Sequence, residues 1–114
     1  MTGKLNAVAV ENAKQLILDG KYRINTIWKN AQPSEAEVES FLKRAGWDEF
    51  SKWFLVVDDG RQSPADASFV LGDFKSIHRS SLQSIKRQAE KEGQPDIVNA
   101  ADELIDLIDH FNAC

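Results

Sequence analysis

The chain has 114 residues, 42% hydrophobic and 28% charged, with a formal net charge of −4. That length suits one domain with its own core, burying roughly 65% of the unfolded surface. The acidic balance argues against general coating of nucleic acid or anionic membranes, and no stretch approaches the ~18 apolar residues of a membrane span.

Residues Leu5 to Asp19 place Val8, Ala9, Ala13, Leu16 and Ile17 at helical spacing, and Gly20 suits the left-handed residue that closes a helix. Tyr22 to Trp28 alternates weakly, as a short strand or an extended loop would. Lys21, Arg23 and Lys29 make this connector basic, and they read as a solvated stretch. In Pro33-Ser34-Glu35-Ala36-Glu37, Ser34 and Glu37 form a capping box that opens a helix over residues 35 to 45. Val38, Phe41, Leu42 and Ala45 are its apolar stripe, Gly46 ends it, and acids first and bases last complement its dipole.

Trp47, Phe50, Trp53 and Phe54 crowd one segment and are expected to supply core. Trp47 and Trp53 are also the candidate aromatic wall of a pocket. Trp53 to Val57 is β-prone and stops at Asp58-Asp59-Gly60; Ala67 to Leu71 is a second such run, closed by Gly72-Asp73. They pair most naturally as an antiparallel hairpin with a long loop. Asp58, Asp59 and Asp66 in that loop lack the alternating ligand spacing of a calcium site.

From Phe74 onward, Ile77, Leu82, Ile85 and Ala89 predict a helix capped by Asp73 and stopped by Gly93. Pro95 then opens a last helix with Ile97, Ala100, Ala101, Leu104, Ile105, Leu107, Ile108 and Phe111 on a wide apolar stripe. The fold expected is a single α+β domain spanning 1–114, about four helices packed on a short antiparallel β-hairpin. Its expected core includes Val8, Leu16, Ile17, Phe41, Leu42, Trp53, Leu55, Phe69, Leu82, Ile85, Ile97, Leu104 and Ile108.

Residues 69–93 carry five Lys/Arg against three Asp/Glu, whereas residues 94–114 carry five acids and no base. Antiparallel neighbours of opposite sign are expected to attract each other.

Little in the chain announces catalysis. A Ser/His/Asp set of His78, Ser80 or Ser81, and Asp73 lacks the strand-to-helix elbow and any marked oxyanion hole. His78 and His110 are far apart in sequence and Cys114 stands alone, so neither a metal site nor a disulfide framework is expected. The glycines are scattered, so no phosphate loop forms and no cofactor is expected. Cys114 is expected to be exposed, as chain ends usually are. No long apolar region follows Met1-Thr2-Gly3-Lys4-Leu5-Asn6, so a secretory leader is not expected and the cytoplasm is the default location.

The strongest site candidate is Lys75, His78 and Arg79. In the first two turns of a helix these three share a face beside unpaired N–H groups, which suits an anion or an acidic protein surface. The same segment carries a resemblance. Gly46-Trp47, Lys52-Trp53, Gly72-Asp73-Phe74-Lys75-Ser76-Ile77-His78-Arg79 and Asp96-Ile97 with Ala100-Ala101 resemble a group of small, mostly uncharacterised bacterial proteins. That group has a Trp-rich middle and a Gly-Asp-Phe-Lys-x-Ile/Val-His-Arg segment. The chain departs from the pattern after Trp53, where Phe54-Leu55-Val56 stands in place of Tyr-Leu-Gly. The resemblance implies a standalone single domain and brings no activity or catalytic residue.

Two functions are compatible with these readings. One is a non-enzymatic interaction module, accessory, regulatory or inhibitory, meeting another protein through its charged surface. The alternative is a protein for a small molecule or anion, possibly an enzyme, with its site near the start of the third long helix.

Overall fold

A computed structural model describes residues 5–57 and 67–112. The turn expected at Asp58-Asp59-Gly60, the loop acid Asp66 and the thiol of Cys114 lie outside these residues. In chain order the elements are α1 (Ala7–Leu18), β1 (Tyr22–Arg23), α2 (Trp28–Ala31), α3 (Glu35–Ala45) and α4 (Trp47–Ser51). Then follow β2 (Phe54–Val57), β3 (Ala67–Val70), β4 (Ile77–His78), α5 (Arg79–Lys91) and α6 (Pro95–Asn112). The architecture is α+β, with four long helices, and none of the described helices is long and apolar enough to cross a membrane.

Helix α1 buries Ala9, Val10, Ala13 and Ile17, a stripe at three- and four-residue spacing. Val8, expected inside, is 58% exposed because the stripe runs through Val10 on the other side of the helix. Asn6 fastens the start of α1: its N–H donates to the Leu55 carbonyl at 2.7 Å, and its Nδ2 donates to the carbonyls of Ser51 and Phe54 at 2.9 and 3.1 Å.

Helix α3 forms through its capping box. Glu37 N–H donates to Ser34 Oγ at 3.2 Å, and Ser34 N–H to Glu37 Oε1 at 3.1 Å. Phe41 and Leu42, expected in the core, are only half-buried on this helix, as are Leu16 on α1 and Phe69 on β3. The short α4, which no periodicity announced, turns Phe50 fully inward. Its ring lies 4.7 Å from Phe54 and 5.6 Å from Trp47. Beside it, β2 and β3 make the expected antiparallel pair, with Phe54 opposite Val70 and Val57 opposite Ala67.

Helices α5 and α6 form an antiparallel hairpin through Gly93, whose φ of +67° is the left-handed conformation a glycine adopts without strain. Leu82, Ile85 and Ala89 on α5 and Ile97, Ala101, Leu104 and Ile108 on α6 are all buried.

Helix α5 begins at Arg79, not near Phe74. The capping chemistry expected of Asp73 is present, since its Oδ1 accepts the N–H groups of Lys75 and Ser76 at 3.1 and 2.8 Å. No helix follows it because Phe74 sits at φ +67°, and Ile77 and His78 are drawn into a parallel pair with Tyr22 and Arg23. Ile77 N–H donates to the Lys21 carbonyl at 3.0 Å and His78 N–H to the Leu71 carbonyl at 3.2 Å. Gly72 permits this tight loop: a Cβ there would lie 1.9 Å from the Ser76 carbonyl oxygen. Phe74 is held against α3 by stacking on Phe41, with centroids 4.4 Å apart and planes 8° from parallel. A non-glycine residue in this region stores on the order of 1–3 kcal/mol of strain, so its surroundings must hold it there.

Candidate functional site: a hydroxyl and imidazole chain beside a basic groove

The shared helical face expected for Lys75, His78 and Arg79 does not form, because only Arg79 belongs to the helix. Lys75 is exposed and lines a groove with Phe41, Arg44, Asp73 and Phe74. His78 points inward and is 3% exposed. Arg79 crosses to α6 and grips Asp109 with two charge-assisted hydrogen bonds, Nε to Oδ1 at 2.7 Å and Nη2 to Oδ2 at 2.9 Å. The Asp109 hydrogen bonds raise the pKa of Arg79, and Arg79 in turn holds the Asp109 carboxyl below its ordinary value.

Trp47 and Trp53 do not wall one pocket. Trp53 is 7% exposed and meets Phe74 edge-on at 5.9 Å, within the aromatic core. Trp47 is half-buried and lines a groove of about 600 Å³ with Asn6, Val8, Asp48, Ser51 and Lys52, which Trp53 does not line.

What converges instead is a line of four polar side chains. Asp73 Oδ2 lies 3.1 Å from His78 Nε2, within ion-pair range although outside the angular range of a hydrogen bond. His78 Nδ1 is 2.8 Å from Thr26 Oγ1, which is 3.3 Å from Ser80 Oγ. Burial works to raise the pKa of Asp73, but the Ser76 N–H, the His78 ring and the Lys75 N–H outweigh it and hold the carboxyl below its ordinary value. Asp73 is therefore an anion at neutral pH. In the tautomer that places the ring proton on Nε2, beside the carboxylate, Nδ1 accepts from the Thr26 hydroxyl and Thr26 in turn accepts from Ser80. Trp28 covers the imidazole, its ring centroid 5.4 Å away.

The elements explain the convergence. The parallel pairing of β1 with β4 sets Arg23 opposite His78 and carries Thr26, just beyond β1, onto the imidazole. Ser80 follows in the first turn of α5. Its neighbour Ser81 faces the core and donates to the Val70 carbonyl, so the two serines have separate roles. The set weighed in the sequence (His78, Ser80 and Asp73) is thus brought together, with Thr26 as the missing link. Thr26 left no signal, because nothing in Tyr22 to Trp28 announces a partner more than fifty residues away.

Ser80 opens onto a groove of about 440 Å³ between α2 and α5, lined by Trp28, Lys29, Gln32, Ser84 and Arg87 among others, none of them acidic. Ser80, Gln83, Ser84 and Arg87 fall at i, i+3, i+4 and i+7, one polar face of α5. Among the described residues Arg87 and Lys29 have no ionic partner, whereas Lys86 meets Asp102 at 2.7 Å and Lys14 meets Glu103 at 2.6 Å. Asp102, Glu103 and Asp109, three of the five acids of α6, are thus met from within. This polar stripe on α5 was readable in the sequence as the face opposite Leu82, Ile85 and Ala89. Comparison of the chain with protein-family models, curated proteins and solved structures gives no match.

Proposed function

We propose that the protein binds a small anionic molecule in the groove between α2 and α5. The observation that carries this reading is Arg87, a guanidinium with no ionic partner among the described residues, facing a groove that no carboxylate of those residues lines, in a chain of net charge −4. Arg87 offers a planar fork for a phosphate or carboxylate and Lys29 a second positive charge. Ser84 and Gln32 add hydrogen-bond donors, and Trp28 offers an apolar edge to the rest of the ligand. Phenyl phosphate, an aryl group bearing one anion, is a suitable probe. Titrated into the labelled protein, it is expected to shift the amide resonances of Trp28, Lys29 and residues 80–87, and those shifts vanish in Arg87→Ala. Shifts spread evenly over the surface, or none, count against the site.

The second reading is an interaction module that meets a partner protein through its charged surface. It draws on Asp96 and Asp106, acids of α6 that form no ion pair among the described residues. The internal pairing of Asp102, Glu103 and Asp109 removes most of its support.

A further inference from the structure

We infer that Ser80 is a nucleophile whose proton passes through Thr26 to His78, and that the chain hydrolyses carboxylic esters bearing a second, anionic group held by Arg87. The substrate class rests on the anion-binding reading above; the nucleophile stands on the hydroxyl chain itself.

A serine hydroxyl is a weak nucleophile until a base takes its proton. Here the base is an imidazole buried away from water, with one nitrogen facing a carboxylate and the other facing a hydroxyl. That is the division of labour in a serine triad, lengthened by one hydroxyl. Thr26 is half-buried and does not border the groove, whereas Ser80 does, so Ser80 is the end of the chain that meets a ligand. Ser80 also lies in the first turn of α5, where N–H groups have no intrahelical acceptor, and His78 as N-cap gives them no side-chain hydrogen bond. Donors so placed stabilise the oxyanion of a tetrahedral intermediate.

Ser80 Oγ bonds to the ester carbonyl carbon as its proton moves to Thr26, and the Thr26 proton moves to His78 Nδ1. The carbon–oxygen bond to the leaving alcohol breaks, and that alkoxide recovers a proton from the imidazolium by the same path. Water then attacks the acyl-serine, releasing the carboxylic acid and restoring Ser80. Ser80 is the nucleophile in this scheme, Thr26 relays its proton and His78 is the base that holds it; Asp73 is a positioning residue that acts through His78.

The test uses the full chain and an uncharged fluorophosphonate probe, with adducts located by peptide mass spectrometry. One adduct on Ser80 is expected, and none in Ser80→Ala. Thr26→Val, close to threonine in shape but without the hydroxyl, slows labelling about a hundredfold, and Thr26→Ser restores it. Asp73→Asn keeps the oxygen that accepts from Lys75 and Ser76 but loses the charge at His78, so it slows labelling too and carries the test if Thr26→Val fails to fold. An unlabelled Ser80, or wild-type labelling rates in folded Thr26→Val or Asp73→Asn, overturns the nucleophile. Substrate class is read separately: 4-acetoxybenzoate, which carries a carboxylate, should be hydrolysed faster than phenyl acetate. Equal rates with Ser80 still labelled overturn the anionic ester alone.

Discussion

Toward α6, helix α5 presents Arg79 and Lys86, and each meets a carboxylate, Asp109 and Asp102. Toward α2 it presents Ser80, Ser84 and Arg87, and among the described residues no acid lines the groove they border. Both faces come from one basic segment. The difference shows that a surplus of positive charge says nothing about function until packing reveals which cations are already satisfied. An ion pair that closes a helix hairpin has used its hydrogen-bonding capacity. A guanidinium left unpaired beside hydroxyls retains its own for a ligand.

Four perturbations separate the closed face from the open one. The largest effect belongs to the core beneath the closed face: Leu104→Ala is expected to lower stability by ~2–5 kcal/mol in urea denaturation, as truncated buried aliphatics do. Next is Gly72→Ala, which forces a methyl group against the Ser76 carbonyl; displacing that turn costs about 1–3 kcal/mol and releases His78 from Asp73. Its mark is a lower urea midpoint together with an altered His78 imidazole resonance. Arg79→Ala comes third, at about 0–1 kcal/mol, because the pair is largely exposed. Smallest is Arg87→Ala, expected within ~0.5 kcal/mol of the parent because nothing in the fold leans on it.

The two carboxylates give the acid response its sign. Asp73 and Asp109 are both held below the ordinary 3.8. The unfolded chain therefore binds more protons than the folded one between the folded and ordinary values. Their contribution is complete above the ordinary value and is lost as pH falls through the folded values. Urea midpoints measured from neutral pH into that acid range should fall, and Asp109→Asn should flatten the fall without abolishing it, since Asp73 remains.

Much of the frame was legible in sequence because its signals are local. Ser34 and Glu37 specify their own helix, Gly93 and Pro95 mark the turn of the last hairpin, and the two β-prone runs pair as their composition suggests. The segment from Gly72 to Arg79 was misread as a helix start. Asp73 does accept the two N–H groups a cap would accept, and only the left-handed Phe74 and the pull of Lys21 on Ile77 turn the chain aside. The site was the least legible part. It depends on β1 meeting β4, a two-residue pairing that no periodicity encodes, and on Thr26, which has meaning only once His78 lies beside it.

The open face is tested most directly by calorimetric titration of phenyl phosphate into three proteins: the parent, Arg87→Ala and Arg79→Ala. Saturable binding is expected in the parent and in Arg79→Ala, with loss of binding in Arg87→Ala. Binding that survives in Arg87→Ala, or that disappears in Arg79→Ala while the fold is intact, would contradict the division of α5 into a closed face and an open one.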